Sequence, residues 1–170
     1  MKSLTLITAA FYIFAVFSSE TATKYNNFIS PSSKSYFIQH ETGEIFQVKF
    51  LRTPRELAKG FSGVYSEQVE KHQGLFFYFP KTETRSFWMP DTYFDLKIIY
   101  LNRDLEVLNV IERAPHHPGR SEAVSKIYRA PEIIARYVLE IRSDSPLGKD
   151  ISIGKKFKWI KDYPPGFQQK

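Results

Sequence analysis

The hydrophobic and polar positions divide the chain into an apolar leader, a polar connector and a series of short segments with a period of two. In YFIQHETGEIFQVKFL two strands flank Thr42-Gly43, a short turn of the hairpin kind, and Ile45, Gln47 and Lys49 alternate against Phe46, Val48 and Phe50. TPRELAKGF follows with helix grammar: Thr53 can cap, Pro54 suits the first helical position, Glu56 completes a capping box, and Gly60 ends the helix after about two turns. GLFFYF and LKIIYL are apolar on both faces, which predicts central strands covered on both sides. Asn102-Arg103-Asp104 turns the second of these into LEVLNVIE, its expected meander partner. RAPHHPGRSEA is an irregular loop. RYVLEIR and ISIGKKFKW close the series as strands, with Ile151, Ile153, Phe157 and Trp159 expected on one face of the last and Lys156 and Lys158 on the other.

Many short strands, one short helix and turns marked by Pro or Gly predict a mainly β fold, a compact single-domain β-barrel or sandwich-like arrangement over residues 36–163, with 164–170 as a C-terminal tail. Phe77, Phe79, Ile98, Tyr100 and Leu139 are the expected core. No internal repeat is present.

The leader, residues 1–18, has the grammar of a signal peptide: Lys2, an apolar run of 14 residues from Leu4 to Phe17, then small and polar residues. A helix crossing the hydrocarbon core needs about 20 apolar residues. Cleavage after Ser18 is therefore expected, leaving a mature chain without a transmembrane span and a periplasmic or extracellular protein. An uncleaved N-terminal anchor is the alternative. Residues 19–35, polar and small with Pro31 in a serine cluster, read as a flexible linker.

Composition narrows the chemistry. There is no cysteine among 170 residues, which excludes disulfides, a thiol nucleophile and a thiolate metal site. The formal charge of +6 becomes +5 once Lys2 leaves with the leader. For an exported basic protein that charge favours anionic envelope polymers, lipid head groups or glycans as partners over nucleic acid, and it equally serves solubility. The Lys155–Lys161 run is either a solvated strand face or an anion-binding patch.

Phosphate loops, nucleophile elbows and paired-histidine zinc helices are absent. Adjacent His116 and His117 point to opposite sides of any regular strand, so neither a metal nor another cofactor is expected. Asp91 and Asp95 could face one another across a turn as a carboxylate pair, although an Asp after Pro ordinarily serves the turn itself. Glu140 is the more unusual acid. It interrupts Tyr137-Val138-Leu139-Ile141 on the face of Val138, and if that face points inward the carboxylate needs a partner, since burying it alone costs several kcal/mol.

Taken together, GLFFYF, FWMPDT followed by LKIIY, YVLEI and Gly154 before the last strand resemble the domain of unknown function 192 family across residues 44–158. That resemblance implies a compact, mainly β, barrel-like or sandwich fold and no established activity. The chain departs from the family pattern where Pro90, Asp91 and Thr92 follow Trp88-Met89 in place of Lys-Asn-Thr, where Lys97 replaces a customary aspartate, and where Phe61-Ser62 follow Gly60 in place of Leu-Met.

Pro90 stops a regular strand beside Trp88 and Met89, so a flat indole and nearby charges gather at one turn. The expected function is non-enzymatic binding of a small molecule, glycan or envelope component, with Trp88, Met89, Asp91, Lys97 and Glu140 as ligand-binding residues and Asp91 and Lys97 pairing when the site is empty. The alternatives are a hydrolase using Asp91 and Glu140, and an accessory protein that docks a protein partner. No catalytic residue is assigned.

Overall fold

The computed structural model describes residues 28–29, 34–119 and 126–167, so the expected leader and most of the linker lie outside the described residues. The described chain is mainly β. Seven strands form one sheet: β1 (Tyr36–His40), β2 (Ile45–Leu51), β3 (Gln73–Arg85), β4 (Leu96–Leu101), β5 (Val107–Ala114), β6 (Ile133–Arg142) and β7 (Phe157–Lys161), in the order β5-β4-β6-β3-β2-β1-β7.

The β1–β2 hairpin turns at 41–43, and β4 and β5 form the expected meander. One pairing has no counterpart in the local sequence pattern: β2 and β3 are parallel, with Val48 opposite Gly74 and Leu51 opposite Phe77. Parallel neighbours need a crossover rather than a tight turn. That crossover, residues 52–72, carries α1 (Pro54–Lys59), the one α-helix among the described residues, and a single 3-10 turn at Ser66–Gln68. The Thr53 hydroxyl accepts from the Glu56 amide while the Glu56 carboxylate accepts from the Thr53 amide, which is the expected capping box.

The sheet curls into a half-barrel. At one end the starts of its two edge strands, β5 and β7, are joined through the segments leading into them: Val107 donates to Lys155, Gly154 to Val107, and Phe157 to Leu105, over 2.8–3.0 Å. Apolar side chains fill both faces. Ile38, Phe46, Phe76, Ile99, Leu139, Phe157 and Trp159 come from strands at opposite ends of the sheet and meet in one cluster, which is the inside of the curl. Phe167 packs there too, 5.1 Å from the Tyr137 ring and 5.2 Å from Trp159.

The outer face of β3, β4 and β6 carries Leu75, Phe77, Leu96, Ile98, Tyr100 and Val138. It is covered by the crossover and by the segments at 86–95 and 126–132, which supply Phe61, Val64, Val69, Met89, Phe94 and Ala130. Phe28 adds its ring over Phe61 at 5.0 Å. This explains why GLFFYF and LKIIYL are apolar on both faces.

Of the expected core, Phe77, Ile98, Tyr100 and Leu139 are buried, whereas Phe79 is half-buried. The last strand is shorter than its alternation implies. Gly154, at φ +86, lies in a turn, β7 begins only at Phe157, and Ile153 is 68% exposed instead of sharing a face with Phe157 and Trp159. In the basic run, Lys155 pairs with Glu41 at 2.8 Å and Lys156 lies 3.8 Å from Glu106, so two of its charges are already neutralised.

Candidate functional site

On the outer face, the crossover and the end of β3 leave a cleft of about 260 Å³. Its floor is Glu140. This residue lies at the middle of the sheet, opposite Leu75 on β3 and Ile98 on β4, so period two aims its side chain at the same layer as Val138. It is 4% exposed. Among the described residues no hydrogen bond or ion pair holds its carboxyl, and burial alone pushes its pKa up from 4.5 to about 8. A neutral polar group buried without a partner still costs about 1–3 kcal/mol, so the arrangement is maintained against stability.

The surroundings explain the isolation. Gly60 ends α1 at φ +46, a conformation that favours glycine, and faces the acid: a Cβ there would lie in van der Waals contact with Phe77 Cζ at 3.4 Å and Glu140 Oε2 at 3.7 Å. Phe77 meets Phe87 edge-on at 5.0 Å and stacks on Phe79 at 6.5 Å. The Arg85 guanidinium lies over Phe79 at 3.9 Å, and its Nε is buried without a partner. Next to Glu140, across β4, the Tyr100 hydroxyl is also buried and unpartnered. Burial first, and then the Glu140 charge, hold its pKa well above the ordinary tyrosine range.

The wall at 86–92 is pinned on both sides. Ser62 Oγ donates to Pro90 O at 3.1 Å and the Gly63 amide to Asp91 O at 2.8 Å, while Ala130 donates to Phe87 O at 2.7 Å and Met89 to Tyr128 O at 3.2 Å. This wall fixes Trp88 at the mouth, 45% exposed, with the Arg129 guanidinium 5.6 Å from its ring, and sinks Met89 into the outer core. Trp88, Met89 and Glu140 therefore share one cleft.

Asp91 and Lys97 do not join them. Asp91 sits at φ 54 in the turn, accepts the Tyr93 hydroxyl at 2.9 Å, and lies off the cleft lining. Lys97 leaves β4 on the opposite face. Its ammonium is buried between Gly148 O and Glu112, 2.6 Å from each. An Asp91–Lys97 pair is therefore not formed: the two are near in sequence, but strand alternation sends Lys97 the other way from Ile98. Asp95 is likewise occupied, binding Arg113 and His116 at 2.5 Å.

Sequence reasoning missed Lys59, Gly60, Phe79, Arg85 and Phe87 as cleft residues. The usable signal was Gly60, the turn glycine that faces the unusual acid; the other cleft residues come from segments about 50 to 80 residues before Glu140 in the chain. A second, more open groove of about 500 Å³ runs past Tyr93, Asp95, Arg113, His116 and Arg142. Its charges are mutually satisfied, Arg142 pairing with Asp144 at 2.9 Å, so it exerts less demand for a ligand than the smaller cleft.

The family model for DUF192, described as uncharacterized ACR, matches residues 37–159. The chain belongs to the DUF192 family. Every cleft residue named above lies within the matched span, so the site belongs to the family domain. No curated protein matches the chain. Among solved structures, a protein of unknown function from Novosphingobium aromaticivorans DSM 12444 is 25% identical, covering 77% of this chain and 91% of that one with a TM-score of 0.57. A protein from Sinorhizobium meliloti 1021, described as a candidate transcription regulator, is 20% identical over 74% of this chain and 94% of its own, also at 0.57. At that identity the second likeness carries the fold alone. DUF192 is a family of unknown function, and these neighbours share its β architecture.

Proposed function

We propose that this DUF192 protein is an exported, non-enzymatic binding domain that takes a small molecule, or the end of a glycan or envelope component, in the cleft floored by Glu140 and flanked by Trp88. One observation carries the reading: a carboxyl 4% exposed, without a partner, under a cleft lined by aromatic rings. Such a group is stabilised when an occupant supplies the missing hydrogen bond. The volume, about 260 Å³, falls just below the roughly 300–1,000 Å³ of drug-sized ligand sites and suits a fragment-sized group.

Hydrolysis by paired carboxylates is less well supported. Such mechanisms place two carboxyl groups about 5–10 Å apart around one bond, whereas Asp91 lies off the cleft and is engaged by Tyr93. Export rests on the leader at 1–18.

The test is native mass spectrometry of the protein purified from its own envelope. A small-molecule adduct present in the wild type, and lost in Glu140→Gln and Trp88→Ala proteins that still fold, supports the reading. An adduct retained by both variants moves binding elsewhere, and turnover of a copurified substrate that Glu140→Gln abolishes replaces it with catalysis.

A further inference from the structure

We propose that the cleft selects a small zwitterion, with its ammonium on the Glu140 carboxyl beneath the aromatic rings and its acidic group at the rim on Arg85 and Lys59. This rests on the cleft being a binding site and adds the chemistry of its occupant.

The two ends of the cleft are chemically opposite. Deep inside lies the unpartnered Glu140 carboxyl, with the unpartnered Tyr100 hydroxyl beside it, and the rings of Phe77, Phe79 and Phe87 offer π faces that attract a cation. Nearer the end of β3, Arg85 lines the cleft; its Nη2 already donates to Lys81 O at 2.8 Å and to Glu83 at 3.3 Å, but its Nε–H has no acceptor, and Lys59, in the last turn of α1, lines the cleft from the other side. A dication would meet these two cations, and a simple anion would meet Glu140. A molecule with an ammonium at one end and a carboxylate or phosphate at the other gives Glu140 an ion-pair partner and the Arg85 Nε–H and Lys59 an acceptor.

The proton balance gives the proposal a sign. The titratable groups around Glu140 are Tyr100 on β4, Arg85 at the end of β3 and Lys59 on α1, while Tyr128 faces Tyr100 from the 126–132 segment. None of them offsets the burial that holds Glu140 up to about 8. At pH 7 the empty site is therefore a neutral acid. Engaging an ammonium requires the carboxylate, so binding expels the Glu140 proton to solvent and tightens as pH rises towards 8. A neutral hydrogen-bond acceptor would instead use the acid as donor and weaken above that pH.

The experiment is isothermal titration at pH 6, 7 and 8, in buffers of different ionisation heat, with 4-(aminomethyl)benzoate, benzylamine and benzyl alcohol as probes. The expected result is an order of affinity 4-(aminomethyl)benzoate, then benzylamine, then benzyl alcohol, with both amines gaining about tenfold between pH 6 and 7 and releasing close to one proton. Glu140→Gln should weaken both amines by more than tenfold while its melting temperature is equal to or above that of the wild type. Arg85→Met with Lys59→Met should erase only the advantage of the carboxylate-bearing probe. Benzyl alcohol binding as tightly as benzylamine, or amine binding that is indifferent to pH, overturns the zwitterion while leaving the cleft a binding site. Failure of all three probes to bind overturns the zwitterion, and retention of the native adduct by both Glu140→Gln and Trp88→Ala separately removes the cleft reading.

Discussion

Glu140→Gln should stabilise this protein, and increasingly so as pH rises. In the unfolded chain Glu140 loses its proton near 4.5, whereas in the folded chain it keeps the proton to about 8. Between those values the folded state binds more protons, so its stability falls as pH increases. The contribution is fully present below the unfolded pKa and is gone once pH passes the folded one. The separation corresponds to about 5 kcal/mol at roughly 1.4 kcal/mol per pH unit, a large part of the 5–15 kcal/mol of a typical domain. Gln has the same shape and no charge to bury. The difference in unfolding free energy between variant and wild type should be small at pH 4, then widen by about 1.4 kcal/mol per pH unit from 5 to 8 and level off. His40, whose pKa burial lowers, titrates in both proteins and cancels in the difference. Urea unfolding across pH 4 to 9 provides the measurement. Parallel stability curves would refute the reasoning, since they would mean that the carboxyl is solvated or paired.

Three further outcomes are expected. Phe77→Ala, which removes a side chain 1% exposed from the outer core, should cost about 3–5 kcal/mol in denaturant unfolding, and a near-neutral result would contradict the packing described here. Lys97→Met should lower stability by about 1–3 kcal/mol, because it leaves Gly148 O without its donor, yet leave probe binding in the cleft unchanged; a selective loss of binding would show that the opposite face contributes to the site. Mass spectrometry of the exported protein should find a mature chain beginning near Ser19, and intact Met1 in the membrane fraction would contradict the reading of the leader.

Much of the fold was legible because local rules governed it. The capping box in TPRE, the turn at Thr42-Gly43 and the doubly apolar strands depend on neighbours within a few residues. The parallel β2–β3 pairing and the contact between β5 and β7 were not legible, since both join segments whose association is decided by which apolar faces can be buried together. The site divided along the same line. Glu140 was visible as an acid out of place in an apolar strand, and the need for a partner followed from its face. That none of the described residues partners it depends on Gly60, Phe77 and Phe87 converging from distant segments. Lys97 shows the converse: its nearness to Asp91 suggested a pair, while strand alternation, equally readable, sends it to the other face.

The central claim, a buried carboxyl left unpaired to receive a ligand, is tested most directly by carbon-13 NMR titration of the Glu140 side chain, assigned by the signal missing from Glu140→Gln. The expected midpoint is near 8 in the empty protein, falling by at least one pH unit with saturating 4-(aminomethyl)benzoate. A midpoint near 4.5 without ligand, unmoved by the probe, would contradict it.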